Sequence, residues 1–152
     1  MTSKIVNQSY PRFETTPNGG TELFQGVPEV DVKMVAGMKE REDVCVLDVR
    51  EQWEYDVGHI PGVVHLPMSE IQGRMNEIPT DKKVIVACRS GQRSARVTAW
   101  LLDNDYDDVH NMAGGILAWD QAGYQVEQGS GEPAGADWLM TYNMLTRQRM
   151  MG

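Results

Sequence analysis

The chain is poor in cysteine. Only Cys45 and Cys88 occur among its 152 residues, and two thiols in a chain of this length do not make a disulfide scaffold. It also lacks a long apolar run, since no stretch approaches the roughly 20 residues that a membrane-spanning helix needs. It has no long basic stretch, and its formal net charge is −8. Neither nucleic acid nor a membrane is therefore an expected partner. The first residues, Met1 to Gln8, contain no apolar core of the signal-peptide type, so a cytoplasmic location is the expectation. The three histidines, His59, His65 and His110, are dispersed and form no metal-ligand spacing.

What is present is the composition of an ordinary globular protein, long enough for one domain and a modest core. Residues 1–26 are rich in Ser, Thr, Asn, Gly and Pro without a clear period, and they read as a flexible N-terminal arm. Patterning begins near Val27. Pro28 to Val30 suggests a short strand, and Asp31 is placed to cap a helix with Val32, Val35, Ala36 and Met38 on one face. Val44 to Val49 reads as a strong strand, Glu51 to Tyr55 as a helical turn and Val63 to Leu66 as a short strand. Ser69 is expected to open a helix with Ile71, Met75 and Ile78 on one side. Lys83 to Ala87 is the next strand, Ser94 to Asp103 the next helix and Asp108 to Met112 the last strand. Gly114-Gly115 opens a further helix through Trp119. Strands alternating with helices predict an α/β fold with a mostly parallel sheet of about five strands and helices on both faces. The domain is expected over 27–127.

Residues 128–152 read as a linker and a C-terminal helix. Gly129 to Gly135 is linker-like, and Trp138, Leu139, Tyr142 and Leu145 follow at helical spacing. Docking on the domain is the simpler reading, because an exposed Trp-Leu-Met face is an aggregation liability. A helix that binds a partner or forms a dimer is the alternative.

Ligands of parallel α/β sheets gather at the carboxyl ends of strands, and Cys88 sits at one. Arg89, Ser90, Gly91, Gln92, Arg93 and Ser94 follow it. A thiolate is electrostatically favoured there by the coming helix N-terminus and by two arginines. If the loop curls round the sulfur, the N–H groups of residues 89–93 form an anion cradle. Gly91 permits the positive φ such a curl needs, and Ser94 is placed to cap the helix. Arg89 and Arg93 are candidates to hold an incoming oxyanion or to stabilise the loop. Cys45, inside an apolar strand, reads as a core side chain.

Four motifs make the resemblance. They are Leu47-Asp48-Val49-Arg50-Glu51, then Gly58-His59-Ile60-Pro61-Gly62 with Leu66-Pro67, then Cys88 to Ser94, and last Gly114-Gly115 with Ala118-Trp119. Over about residues 27–126 the chain resembles a single-domain rhodanese, of the thiosulfate sulfurtransferase family. The resemblance implies a transferase that moves sulfane sulfur from a small donor such as thiosulfate to a thiophilic acceptor, cyanide or a thiol. Cys88 would be the catalytic cysteine and carry the sulfur as a persulfide, residues 89–94 would form the active-site loop, and no metal or organic cofactor would be needed. Asp48 and Arg50 would support the pocket as a charged wall or, more simply, as an ion pair or cap network; Arg50 has Glu51 and Glu54 nearby. His59 reads as a structural histidine bonded to backbone before it reads as a base. Trp119 is expected to anchor the last helix of the domain in the core.

Two rival functions carry different sequence signatures. Phosphatases and arsenate reductases of the same fold place the arginine six residues after the cysteine, whereas Arg93 is five after Cys88. The shorter loop resembles the sulfur-transfer class. The second rival is a sulfur carrier or redox-regulatory module that serves a protein acceptor, with its surface in the arms at 1–26 and 128–152.

Overall fold

The structure, a computed structural model, describes residues 27–151. The expected arm at 1–26 lies outside the described residues. Five strands form one sheet, and every pairing in it is parallel. They are β1 (Glu29–Val30), β2 (Val44–Asp48), β3 (Val64–His65), β4 (Lys83–Ala87) and β5 (Val109–Met112), ordered β1-β5-β4-β2-β3. The helices are α1 (Val32–Met38), α2 (Gln52–Val57), α3 (Gln92–Leu102), α4 (Gly115–Gln121) and α5 (Trp138–Met151).

Strands β2 and β4 are the central pair. Their residues are mostly aliphatic or small and almost wholly buried, the pattern of a strand covered on both faces. The period of two divides the core. Val44, Val46, Ile85 and Ala87 point to one face, where Ile116, Trp119, Trp138 and Tyr142 pack. Leu47, Val84, Val86 and Cys88 point to the other, against Val97, Trp100 and Leu101 of α3. The three-layer α/β arrangement expected from the sequence is present.

Two elements differ from expectation. Residues Met68–Glu77 form a 3₁₀ segment rather than a helix, and it breaks at Arg74 (φ −125, ψ 19). Pro67 before it and Gly73 within it weaken a regular helix. Helix α3 starts at Gln92, two residues before the expected Ser94. Its N-cap is Gly91, whose φ of 99 turns the chain straight from the loop into the helix.

The segment after α4 is tied down by hydrogen bonds. Gly129 N donates to Asp56 O (3.0 Å) and Ala134 N to Val126 O (2.9 Å). Helix α5 then lies on α2, with Trp138 and Tyr142 buried. Gly58 admits this approach, because a Cβ there would meet the Trp138 ring at 2.5 Å. Met140, Met144, Met150 and Met151 stay exposed. No helix among the described residues is long and apolar enough to cross a membrane.

Candidate active site

Cys88 follows the last residue of β4, and its side chain is 1 % exposed. Three donors surround its sulfur. Gly91 N lies 3.2 Å from Sγ, Ser94 N 3.3 Å and Ser94 Oγ 3.3 Å. Gly91 thus has two roles: its left-handed backbone closes the loop and its amide points at the sulfur. Ser94 does not cap α3. It sits in the first turn, fully buried, with its side chain turned to Cys88.

The hydroxyl of Ser94 also lies 2.5 Å from Asn111 Oδ1. A hydroxyl has one hydrogen, so the two contacts alternate. A neutral thiol can donate to Oγ while Oγ donates to Asn111. A thiolate can instead accept the hydroxyl hydrogen. Asn111 is fixed from its other end, where Nδ2 donates to Gly91 O (3.1 Å) and Glu29 Oε2 (3.0 Å). Strand β5 therefore braces the loop. Helix α4 does so too: Ile116 N donates to Cys88 O (2.9 Å) and Leu117 N to Arg89 O (3.1 Å). The Gly114-Gly115 turn is thus a tight connection docked on the loop backbone.

The two arginines have different partners. Arg93 makes a bidentate pair with Glu54, at 2.8 and 2.9 Å. Burial alone would raise the Glu54 pKa, but the hydrogen bonds from Arg93 and Tyr142 prevail and hold its carboxyl at about 2. Arg89 donates through Nη2 to Asn143 Oδ1 (2.8 Å). Of the rest of the loop, Ser90 is exposed and Gln92 is the first residue of α3.

Asp48 and Arg50 are together, but with each other. Their guanidinium–carboxylate contact is 2.8 Å, and the Arg50 side chain is 0 % exposed. Arg50 also donates to Gly58 O (2.7 Å) and Glu54 O (3.4 Å). Burial disfavours its charge, yet Asp48 outweighs that and raises its pKa. The pair ties β2 to α2. The carboxylate on Arg50 is that of Asp48, whereas the Glu54 carboxylate faces Arg93. His59 is buried, with Nδ1 2.9 Å from Tyr55 O and Nε2 3.2 Å from Glu127 Oε1. Both ring nitrogens are engaged within the fold. Trp119 is buried and donates to Gln125 O (2.8 Å). No three His, Cys, Asp or Glu side chains among the described residues are grouped to hold a metal ion.

Sequence reasoning did not single out Glu54, Asn111, Tyr142 or Asn143 for the site. Asn111 carried a weak signal, as a polar residue near the carboxyl end of a strand in a parallel sheet. Tyr142 and Asn143 carried none, being far along the chain and on a separate helix.

Comparison with known proteins fits this geometry. The model of the family described as "Rhodanese-like domain" matches residues 31–122. A sulfurtransferase of Allochromatium vinosum is 40% identical over 101 residues, covering 66% of this chain and 94% of that protein. A tRNA uridine(34) hydroxylase of Cytophaga hutchinsonii is 33% identical over 131 residues, 83% of this chain but 38% of that protein. Among solved structures, a thiosulfate sulfurtransferase from Pseudomonas aeruginosa aligns with a TM-score of 0.64 at 29% identity, covering 76% of this chain and 23% of that one. With the match over most of the described sheet and over the Cys88 loop, the chain belongs to the family of rhodanese-like domains.

Proposed function

We propose that the protein is a sulfurtransferase that carries sulfane sulfur on Cys88 as a persulfide. The observation that carries this reading is the sulfur of Cys88 facing Gly91 N, Ser94 N and Ser94 Oγ within 3.3 Å. These donors suit a sulfur anion, and the same small cradle suits the terminal sulfur of a persulfide.

The steps balance as a double displacement. The Cys88 thiolate attacks the outer sulfur of thiosulfate, the S–S bond breaks, and sulfite leaves with the bonding pair. Cyanide then attacks the outer sulfur of the Cys88 persulfide. Thiocyanate leaves and the thiolate returns. A thiol acceptor would take the sulfur in the same way. The six-residue span from Cys88 to Arg93 favours this over phosphate chemistry, and Arg93 is already paired with Glu54. Residues 27–127 would be the catalytic unit and 128–152 an added element.

A second reading has its own support. A putative sulfur carrier protein of Bacillus subtilis is 32% identical over 100 residues, covering 65% of this chain and 54% of that protein. On this reading the acceptor is a protein and thiosulfate serves only in assay.

The test is thiocyanate formation from thiosulfate and cyanide, with mass analysis of Cys88. Donor alone should add about 32 Da, one sulfur, to Cys88, as a covalent intermediate requires. Cys88→Ser should abolish both the added mass and the turnover. Turnover that survives in that variant would sink the mechanism, and appreciable hydrolysis of an aryl phosphate would reverse the ranking against phosphatases.

A further inference from the structure

The family match ends at residue 122, and α5 lies beyond it. We propose that Tyr142 and Asn143 of α5 are positioning residues for the two loop guanidiniums, and that this helix thereby sets the preference of Cys88 for anionic sulfur donors. The proposal rests on the reading of Cys88 as the nucleophile.

Asn143 acts on Arg89. Its Oδ1 accepts from Nη2 at 2.8 Å, and the ring of Tyr142 lies 5.5 Å from the same guanidinium carbon. Tyr142 acts on Arg93 through Glu54. Its hydroxyl donates to Glu54 Oε2 at 2.6 Å, the oxygen that also accepts Arg93 Nη2. Tyr142 is 0 % exposed, so this hydroxyl is rigidly placed. An arginine side chain has many rotamers, and its charge acts at a defined place only when something fixes the planar group.

The chemistry of the two acceptors differs in a useful way. Arg93 is paired with a carboxylate, which offsets its charge. Arg89 is paired with a neutral amide oxygen, which gives direction and leaves the charge intact. The Nε of Arg89 is buried with no hydrogen-bond partner among the described residues. Arg89, next to the nucleophile in sequence, thus retains its full positive charge, held in place at Nη2 while Nε is enclosed. A helix needed only for packing would use the rings of Trp138 and Tyr142. It would need neither the amide of Asn143 nor the hydroxyl of Tyr142.

The test compares alkylation of Cys88 in the full chain by iodoacetate, an anion, and by iodoacetamide, which is neutral. Both reagents react with the same thiolate, so the ratio of their rates reports charge placement and not the amount of thiolate. Asn143→Ala should lower the ratio by about threefold or more, on the scale of one charge-assisted contact. Asn143→Asp keeps an acceptor on Arg89 but cancels its charge, and should lower the ratio further. Tyr142→Phe keeps the ring and should give a smaller fall. A ratio that is unchanged or raised in both Asn143 variants overturns the proposal, even if their unfolding midpoints drop. Alkylation needs no sulfur donor. Absence of thiocyanate formation in the wild type would defeat the proposed function alone, whereas an unchanged ratio would defeat only the role given to α5.

Discussion

The two ends of the parallel sheet handle charge in opposite ways. At the amino ends of the strands, ion pairs lie at the surface, exposed or half-buried. Arg41 pairs with Asp43, both more than half exposed, and Lys83 pairs with Asp108 at 3.0 Å beside His110. At the carboxyl ends the Arg50–Asp48 pair is wholly interior, and the Glu54 carboxylate is buried between Tyr142 and a half-buried Arg93. Exposed pairs gain little over hydration. Buried pairs have no water to return to, so each partner becomes indispensable to the other. The difference teaches where the fold holds its geometry fixed, and that is the end where Cys88 sits.

The sharpest way to break this contrast is Arg50→Ala. It leaves the Asp48 carboxylate buried without its cation and Gly58 O without a donor, and should cost about 3–5 kcal/mol of unfolding free energy. Denaturant unfolding measures it, and a loss below about 1 kcal/mol would erase the contrast. Next comes acidification. The Glu54 carboxyl is held at about 2, well below its ordinary value of 4.5. Its contribution is therefore fully present above the ordinary value and is lost as pH falls from there through about 2. In Glu54→Gln that part of the acid limb should disappear, a change on the order of 2–3 kcal/mol between wild-type and variant pH profiles. Parallel profiles over that window would show that Glu54 titrates normally. The smallest effect is expected at the other end, where Lys83→Met should change stability by less than about 1 kcal/mol and less still at high salt.

The apolar side of the fold was readable because the signals were local. Val44 to Leu47 and Lys83 to Ala87 announce buried parallel strands by composition alone, and Cys88 marks the candidate site by standing after one of them. The start of α3 was misplaced by two residues, because a serine is a common cap and Gly91 reaches the same end by a backbone angle that spacing does not reveal. Ser94 is polar for a different reason than capping, and only the approach of Asn111 and Sγ shows it. The sequence left the partner of Arg50 open between Asp48 and the nearby glutamates. Glu54 is near in sequence, but its carboxylate is claimed by Arg93, 39 residues on. Tyr142 was legible as an apolar helix position and illegible as a hydroxyl, since its acceptor is 88 residues away. Local pattern gives elements, whereas long-range polar pairing needs the fold itself.

The shared hydroxyl of Ser94 makes the site self-reporting. One hydrogen cannot serve Cys88 and Asn111 together, so a change in the charge on the sulfur would move that hydrogen from one contact to the other. The side-chain amide of Asn111, whose Oδ1 takes that hydrogen in one of the two arrangements, would report the exchange. Its resonance would follow the occupancy of the cysteine without any label attached to the sulfur.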